Sequence, residues 1–120
     1  MARDRVVVID DDADFREMVD LCLAGGDIVT LGAATCCDAL PILERERGRL
    51  RLVLLDYFMP GLAPAACVRA VLDRVDRDVP VVLVSAAVDI AARAAEVGLP
   101  RFLAKPFDIA DLMALVDAPP

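Results

Sequence analysis

The chain has 120 residues, 58% of them hydrophobic and 28% charged, with a formal net charge of −7. That is enough chain for one domain with a real core, and it is too apolar to be disordered. The acidic balance speaks against nonspecific binding to nucleic acid or to an anionic membrane, since both need basic surface. No apolar run approaches membrane-spanning length, and Met1–Arg5 leads into a strand rather than a signal peptide, so a cytoplasmic location is expected. There is no histidine, and Cys22, Cys36, Cys37 and Cys67 form no CxxC pair, so a zinc site is not expected. Small buried hydrophobes are the preferred reading of the cysteines, ahead of a Cys36–Cys37 redox pair.

In chain order, Arg5–Ile9 is apolar on both alternating faces, as a strand buried on both sides of a parallel sheet should be. Asp10, Asp11 and Asp12 follow at once. Asp14 and Glu17 have capping-box spacing, and Phe15, Met18, Val19, Cys22 and Leu23 fall on one helical face. Gly25–Gly26 ends that helix. Residues 27–31 read as a short strand. Thr35 opens a helix to about Arg47, with Ala39, Leu40, Ile42 and Leu43 inward. Pro41 inside it predicts a kink or a late start, because a proline there removes a backbone bond.

Leu52–Leu55 is a second doubly apolar strand. It ends in Asp56 and a turn enforced by Pro60 and Gly61. Pro64 suits the first position of a helix with Cys67, Val68, Val71 and Leu72 buried. Val81–Val84 is a strand ending at Ser85. An Ala-rich helix of weak amphipathicity spans about Asp89–Val97 and closes at Gly98. Arg101–Ala104 is the last strand, followed by Lys105–Pro106. Asp108 caps a final helix whose Ile109, Leu112, Met113 and Val116 share a face. Residues 1–117 thus make one domain, and 118–120 read as a tail or the start of a linker.

Strands alternating with helices five times predict an α/β domain with a five-stranded parallel sheet between helical layers. The default order is the flavodoxin-like 2-1-3-4-5, whose crevice lies at the C-terminal ends of strands 1 and 3. There the pattern assembles Asp10, Asp11, Asp56, Ser85 and Lys105 on one edge. Three crowded carboxylates repel and raise at least one pKa, and a hard divalent cation such as Mg²⁺ relieves them. A carboxylate left accessible beside the metal can attack phosphorus. Lys105 and Ser85 are then placed to neutralise the added charge and to donate a hydrogen bond to it.

The acidic pair after strand 1, the Asp56-x-x-Met59-Pro60-Gly61 run, Ser85 and Lys105–Pro106 together resemble the receiver domain of response regulators in two-component signalling. The likeness runs from about Arg5 to Val116. It implies that Asp56 is the phosphoacceptor. Asp11 and the Phe58 backbone carbonyl bind Mg²⁺ with Asp56, and Asp10 assists through water. Ser85 and Lys105 contact the phosphoryl group, Phe102 is the aromatic switch, and Lys105–Pro106 is cis. Asp12 and Asp14 are loop or cap residues. The chain departs from the family's usual pattern at Ala63–Pro64, where Asp-Gly is common. Phe58 and Ala87 stand at positions that tune phosphoryl lifetime, and Phe102 lacks a hydroxyl.

The implied function is a phosphorylation switch rather than an enzyme. A partner histidine kinase or histidine phosphotransfer protein would be the donor, as this chain has no histidine of its own. The signal would pass through the face of helix 4, strand 5 and helix 5 to a downstream protein or a fused output domain. A homodimer through that face is left open, and no direct nucleic-acid or membrane contact is expected. Two rival readings stand beside it. One is a receiver-like interaction module that is never phosphorylated. The other is a small haloacid-dehalogenase-like phosphatase with Asp10 as nucleophile.

Overall fold

In the computed structural model, which describes residues 2–118, strands and helices alternate along the chain. The strands are β1 (Arg5–Ile9), β2 (Val29–Ala33), β3 (Leu50–Asp56), β4 (Val81–Ser85) and β5 (Arg101–Ala104). The helices are α1 (Ala13–Leu23), α2 (Cys36–Arg45), α3 (Pro64–Leu72), α4 (Ile90–Glu96) and α5 (Ile109–Asp117). The strands form one parallel sheet in the order β2-β1-β3-β4-β5, as expected.

The doubly apolar strands explain the layering. Val7, Ile9, Val53, Leu55, Val81 and Leu83 pack with Ala39, Leu43, Val68, Val71, Ile90 and Ala94, so α2, α3 and α4 cover one face. The alternate residues Val6, Val8, Leu52, Leu54, Val82 and Val84 meet Val19, Leu23, Leu112 and Val116 of α1 and α5 on the other. Each fully buried Val or Leu contributes roughly 1.5–3 kcal/mol, so the central strands carry most of the driving force.

Several sequence expectations shift. β2 begins at Val29, paired with Arg5, and runs to Ala33, so it starts and ends two residues later than predicted. As an edge strand with half-exposed residues it lacks the doubly apolar signal. The cap of α1 is Asp12, which accepts the N–H groups of Asp14 and Phe15, so Asp14 lies inside the helix. Helix α2 starts at Cys36, with Thr35 Oγ1 accepting the Asp38 N–H at 3.0 Å, so there is no late start. Pro41 lies on its exposed side, where water can satisfy the carbonyl freed by the missing N–H. Met18, Leu72 and Ile109, predicted inward, are 41%, 43% and 55% exposed.

Cys36 does not pair with Cys37. It is joined by a disulfide to Cys67 of α3, both buried, while Cys37 faces solvent. The bridge ties the first turn of α2 to α3 across a separation of 31 residues. In the tail, only Ala118 falls within the described residues. No helix among them is long and apolar enough to cross a membrane.

Candidate functional site

The register of β1 and β3 builds the site. Ile9 pairs with Leu55, so Asp10 and Asp56 come next on neighbouring strands and emerge side by side. Gly61, at φ +100°, allows the tight turn that carries the chain away from Asp56 to the Pro64 start of α3. The carboxylates of Asp10, Asp11 and Asp56 all have oxygens within 4.8 Å of one another.

Their surroundings differ. Asp10 is 1% exposed, and its carboxylate accepts the Asp12 N–H at 2.9 Å and the Lys105 ammonium at 2.7 Å. Asp11 is exposed and Asp56 is nearly buried. Lys105 Nζ lies 3.8 Å from Asp56 Oδ1 and 4.1 Å from the centroid of the Phe15 ring, whose negative face supports the cation. Lys105 is rooted beside β4, where its N–H donates to the Ser85 carbonyl at 2.9 Å, and the Lys105–Pro106 peptide is cis.

Burial pushes the Asp56 carboxyl up to about 6, with the charge of Asp10 adding to the rise. Lys105 opposes it, Asp11 raises it further, and the Phe58 backbone N–H lowers it. Asp56 is therefore mostly ionised at neutral pH, but at a cost. One ammonium cannot balance three carboxylates. An all-oxygen donor set with surplus negative charge and an exposed member suits a hard cation of the Mg²⁺ type. The residues present fit that ion.

The remaining predicted residues differ in exposure. Ser85 is fully buried, and its hydroxyl oxygen accepts the Ala87 N–H at 3.1 Å. Phe58 and Phe102 are 56% and 45% exposed, so Phe102 points outward from β5. The geometry also adds residues that the sequence reading did not single out. Arg16 Nη1 donates to the Asp10 carbonyl at 2.6 Å, and Phe15 cradles Lys105 while meeting Phe107 edge-on. On the other side Arg93 of α4 reaches Tyr57, the residue after Asp56. Asp10, sunk and held by two donors, is poorly placed to attack a substrate. That weighs against the phosphatase reading.

Comparison with known proteins agrees with this geometry. The profile of the response regulator receiver domain matches residues 6–117. The chain belongs to this family. Receiver domains are the phosphorylation switches of two-component systems and are generally not enzymes. This receiver domain is 36% identical over 119 residues to the transcriptional regulatory protein PrrA of Mycobacterium tuberculosis, covering 95% of this chain and 48% of that protein. It is 33% identical over 118 residues to the DNA-binding response regulator MtrA of the same organism, covering 97% and 50%. The chain thus spans about half the length of these curated relatives. A response regulator receiver protein from Pseudomonas putida, solved as a crystal structure, superposes with a TM-score of 0.78 at 27% identity, covering 98% of both chains.

Proposed function

We propose that this receiver domain accepts a phosphoryl group on Asp56 from the phosphohistidine of a partner kinase or phosphotransfer protein. The observation that carries this reading is the cluster of Asp10, Asp11 and Asp56, with Lys105 reaching across it. An Asp56 carboxylate oxygen attacks phosphorus in line, the new O–P bond forms as the N–P bond breaks, and the electron pair leaves with the donor's imidazole. Asp11, Asp56 and the Phe58 carbonyl would hold Mg²⁺, with Asp10 assisting through water. The ion supplies charge neutralisation for the transferring group. Lys105 takes up part of the negative charge that arrives, and the Ser85 hydroxyl turns from Ala87 to donate to it. Phe102, outward in the unphosphorylated domain, then has space to move in, which biases the face of α4, β5 and α5.

The output would be a downstream protein or a fused domain beyond the tail, as in the regulators that are twice this length. A homodimer through the α4–β5–α5 face would serve the same end. The location would be the cytoplasm, where a reducing environment would keep Cys36 and Cys67 as buried thiols.

The test is labelling by a small acyl or amido phosphate with and without Mg²⁺. Wild type should become labelled in a Mg²⁺-dependent way, and Asp56→Ala should lose the label entirely. Equal labelling of both would overturn the assignment of Asp56. No labelling of wild type would favour a module that works without phosphorylation.

A further inference from the structure

Helix α4 has little to hold it. It is the shortest of the helices among the described residues, rich in alanine, without a side-chain cap, and it buries only Ile90 and Ala94. One side chain departs from this plainness. The Arg93 guanidinium donates to the Tyr57 hydroxyl at 3.1 Å and lies 5.1 Å from the Tyr57 ring centroid and 5.9 Å from that of Phe58. The two rings meet edge to face at 4.8 Å. Asp89, one helical turn back, holds the guanidinium at 3.1 Å and fixes its direction. Phe58 lies two residues after Asp56, and its backbone N–H lowers the pKa of that carboxylate. A continuous set of contacts therefore runs from α4 through Arg93 and two aromatic rings to Asp56.

We propose that Arg93 is a positioning residue for the metal and phosphoryl site, clamping the Tyr57–Phe58 backbone so that Phe58 keeps its N–H and carbonyl aligned on Asp56. Phe58 needs such a clamp. Its ring is 56% exposed, and the loop that carries it, unlike the strand before it, has no sheet partner beyond the Tyr57 N–H bond to the Val84 carbonyl. A planar guanidinium can grip a phenol and two ring faces together, which an ammonium cannot. The clamp also gives α4 a route to the site through Tyr57 and Phe58. Any shift of α4 must loosen Phe58, and by reciprocity a site that tightens on Phe58 must hold α4. This inference rests on Asp56 being the phosphoacceptor and on Phe58 lending its carbonyl to Mg²⁺.

Tyr57 is the only tyrosine, and there is no tryptophan, so intrinsic emission reports this contact directly. The experiment titrates Mg²⁺ into wild type, Arg93→Met, Arg93→Lys and Asp56→Ala, following Tyr57 emission, with circular dichroism to confirm the fold. Methionine keeps the aliphatic stem and the helix propensity of arginine. Arg93→Met should change the emission of the metal-free protein and weaken Mg²⁺ binding roughly tenfold, as loss of an outer-sphere partner does. Arg93→Lys should fall between the two. Arg93→Met binding Mg²⁺ as tightly as wild type overturns the proposal, whichever way its emission moves. Wild type that binds no Mg²⁺, or Asp56→Ala that binds as well as wild type, fells the underlying reading of the site instead, and the clamp with it.

Discussion

The two ends of the same sheet treat charge in opposite ways. At the N-terminal edge of the strands several acids are paired with a guanidinium. Arg3 lies 2.8 Å from Asp78, Arg47 3.2 Å from Asp76, Arg74 3.1 Å from Glu44 and Arg5 3.8 Å from Glu46. At the C-terminal edge three carboxylates share one ammonium. The titration follows the arrangement. The hydrogen bond from Arg3 holds the Asp78 carboxyl below its ordinary range, whereas burial and Asp10 lift that of Asp56 to about 6. The paired end is a solved electrostatic problem. The crowded end is left unsolved, and a cation or an arriving phosphoryl group can change its balance. Function sits where charge is kept out of balance in a partly dry pocket.

Three changes can break or sharpen this contrast. The largest effect is expected from Lys105→Met, which strips the buried Asp10 of its cation. Because Lys105 keeps some solvent access, the loss should be about 2–4 kcal/mol at pH 7 in chelator, rather less than for a fully buried pair. Urea denaturation measures it, and an unchanged midpoint would mean the crowded end is already balanced.

Next comes Asp56→Asn. The folded carboxyl titrates at about 6 against 3.8 in the unconstrained state, so between these values the folded chain binds the proton more tightly. Wild-type stability must therefore fall as pH rises through that window, with the full penalty present above it. In chelator at pH 7 the asparagine variant should be more stable by about 1–3 kcal/mol. The advantage should vanish below the unfolded value, where both forms are uncharged. Mg²⁺ should stabilise wild type and not the variant. A variant less stable than wild type at pH 7 would contradict the contrast between the two ends.

The smallest effect belongs to the paired end. Arg3→Ala and Asp78→Asn remove one solvent-exposed ion pair. Each should shift the melting temperature less than the two changes above, and less still at high salt, where exposed pairs are screened. A shift as large as that of Lys105→Met would show that this edge is more than a set of surface pairs.

Some of this molecule was readable in advance, and the reasons are local. β1, β3 and β4 contain short runs of branched residues with both faces apolar, a pattern and length that suit a strand buried on both sides. The acids and the lysine stand directly after them, so strand order alone put them on one edge. β2 starts and ends two residues later than its pattern predicts because its half-exposed face lacks that signal, and because its limits are set by pairing with Arg5 and Ile9. Met18, Leu72 and Ile109 sit at helical spacing yet stay exposed, since periodicity marks a face without saying whether anything covers it. Cys36 and Cys67 carry no mark of each other. Arg93 looks in the sequence like any surface cation on an alanine-rich helix.

What this chain's residues determined by themselves was the alternation of elements, the polarity of each strand end and so the membership of the acidic edge. Those follow from backbone periodicity and burial, which act over a few residues. Tertiary structure alone decided the distances. It sank Asp10 under Lys105 and left Asp11 exposed, turned Phe102 outward, and brought Arg93 across to Tyr57. Such relations depend on how separate elements pack, and packing geometry is a property of the assembled sheet and helices, beyond the reach of any single segment.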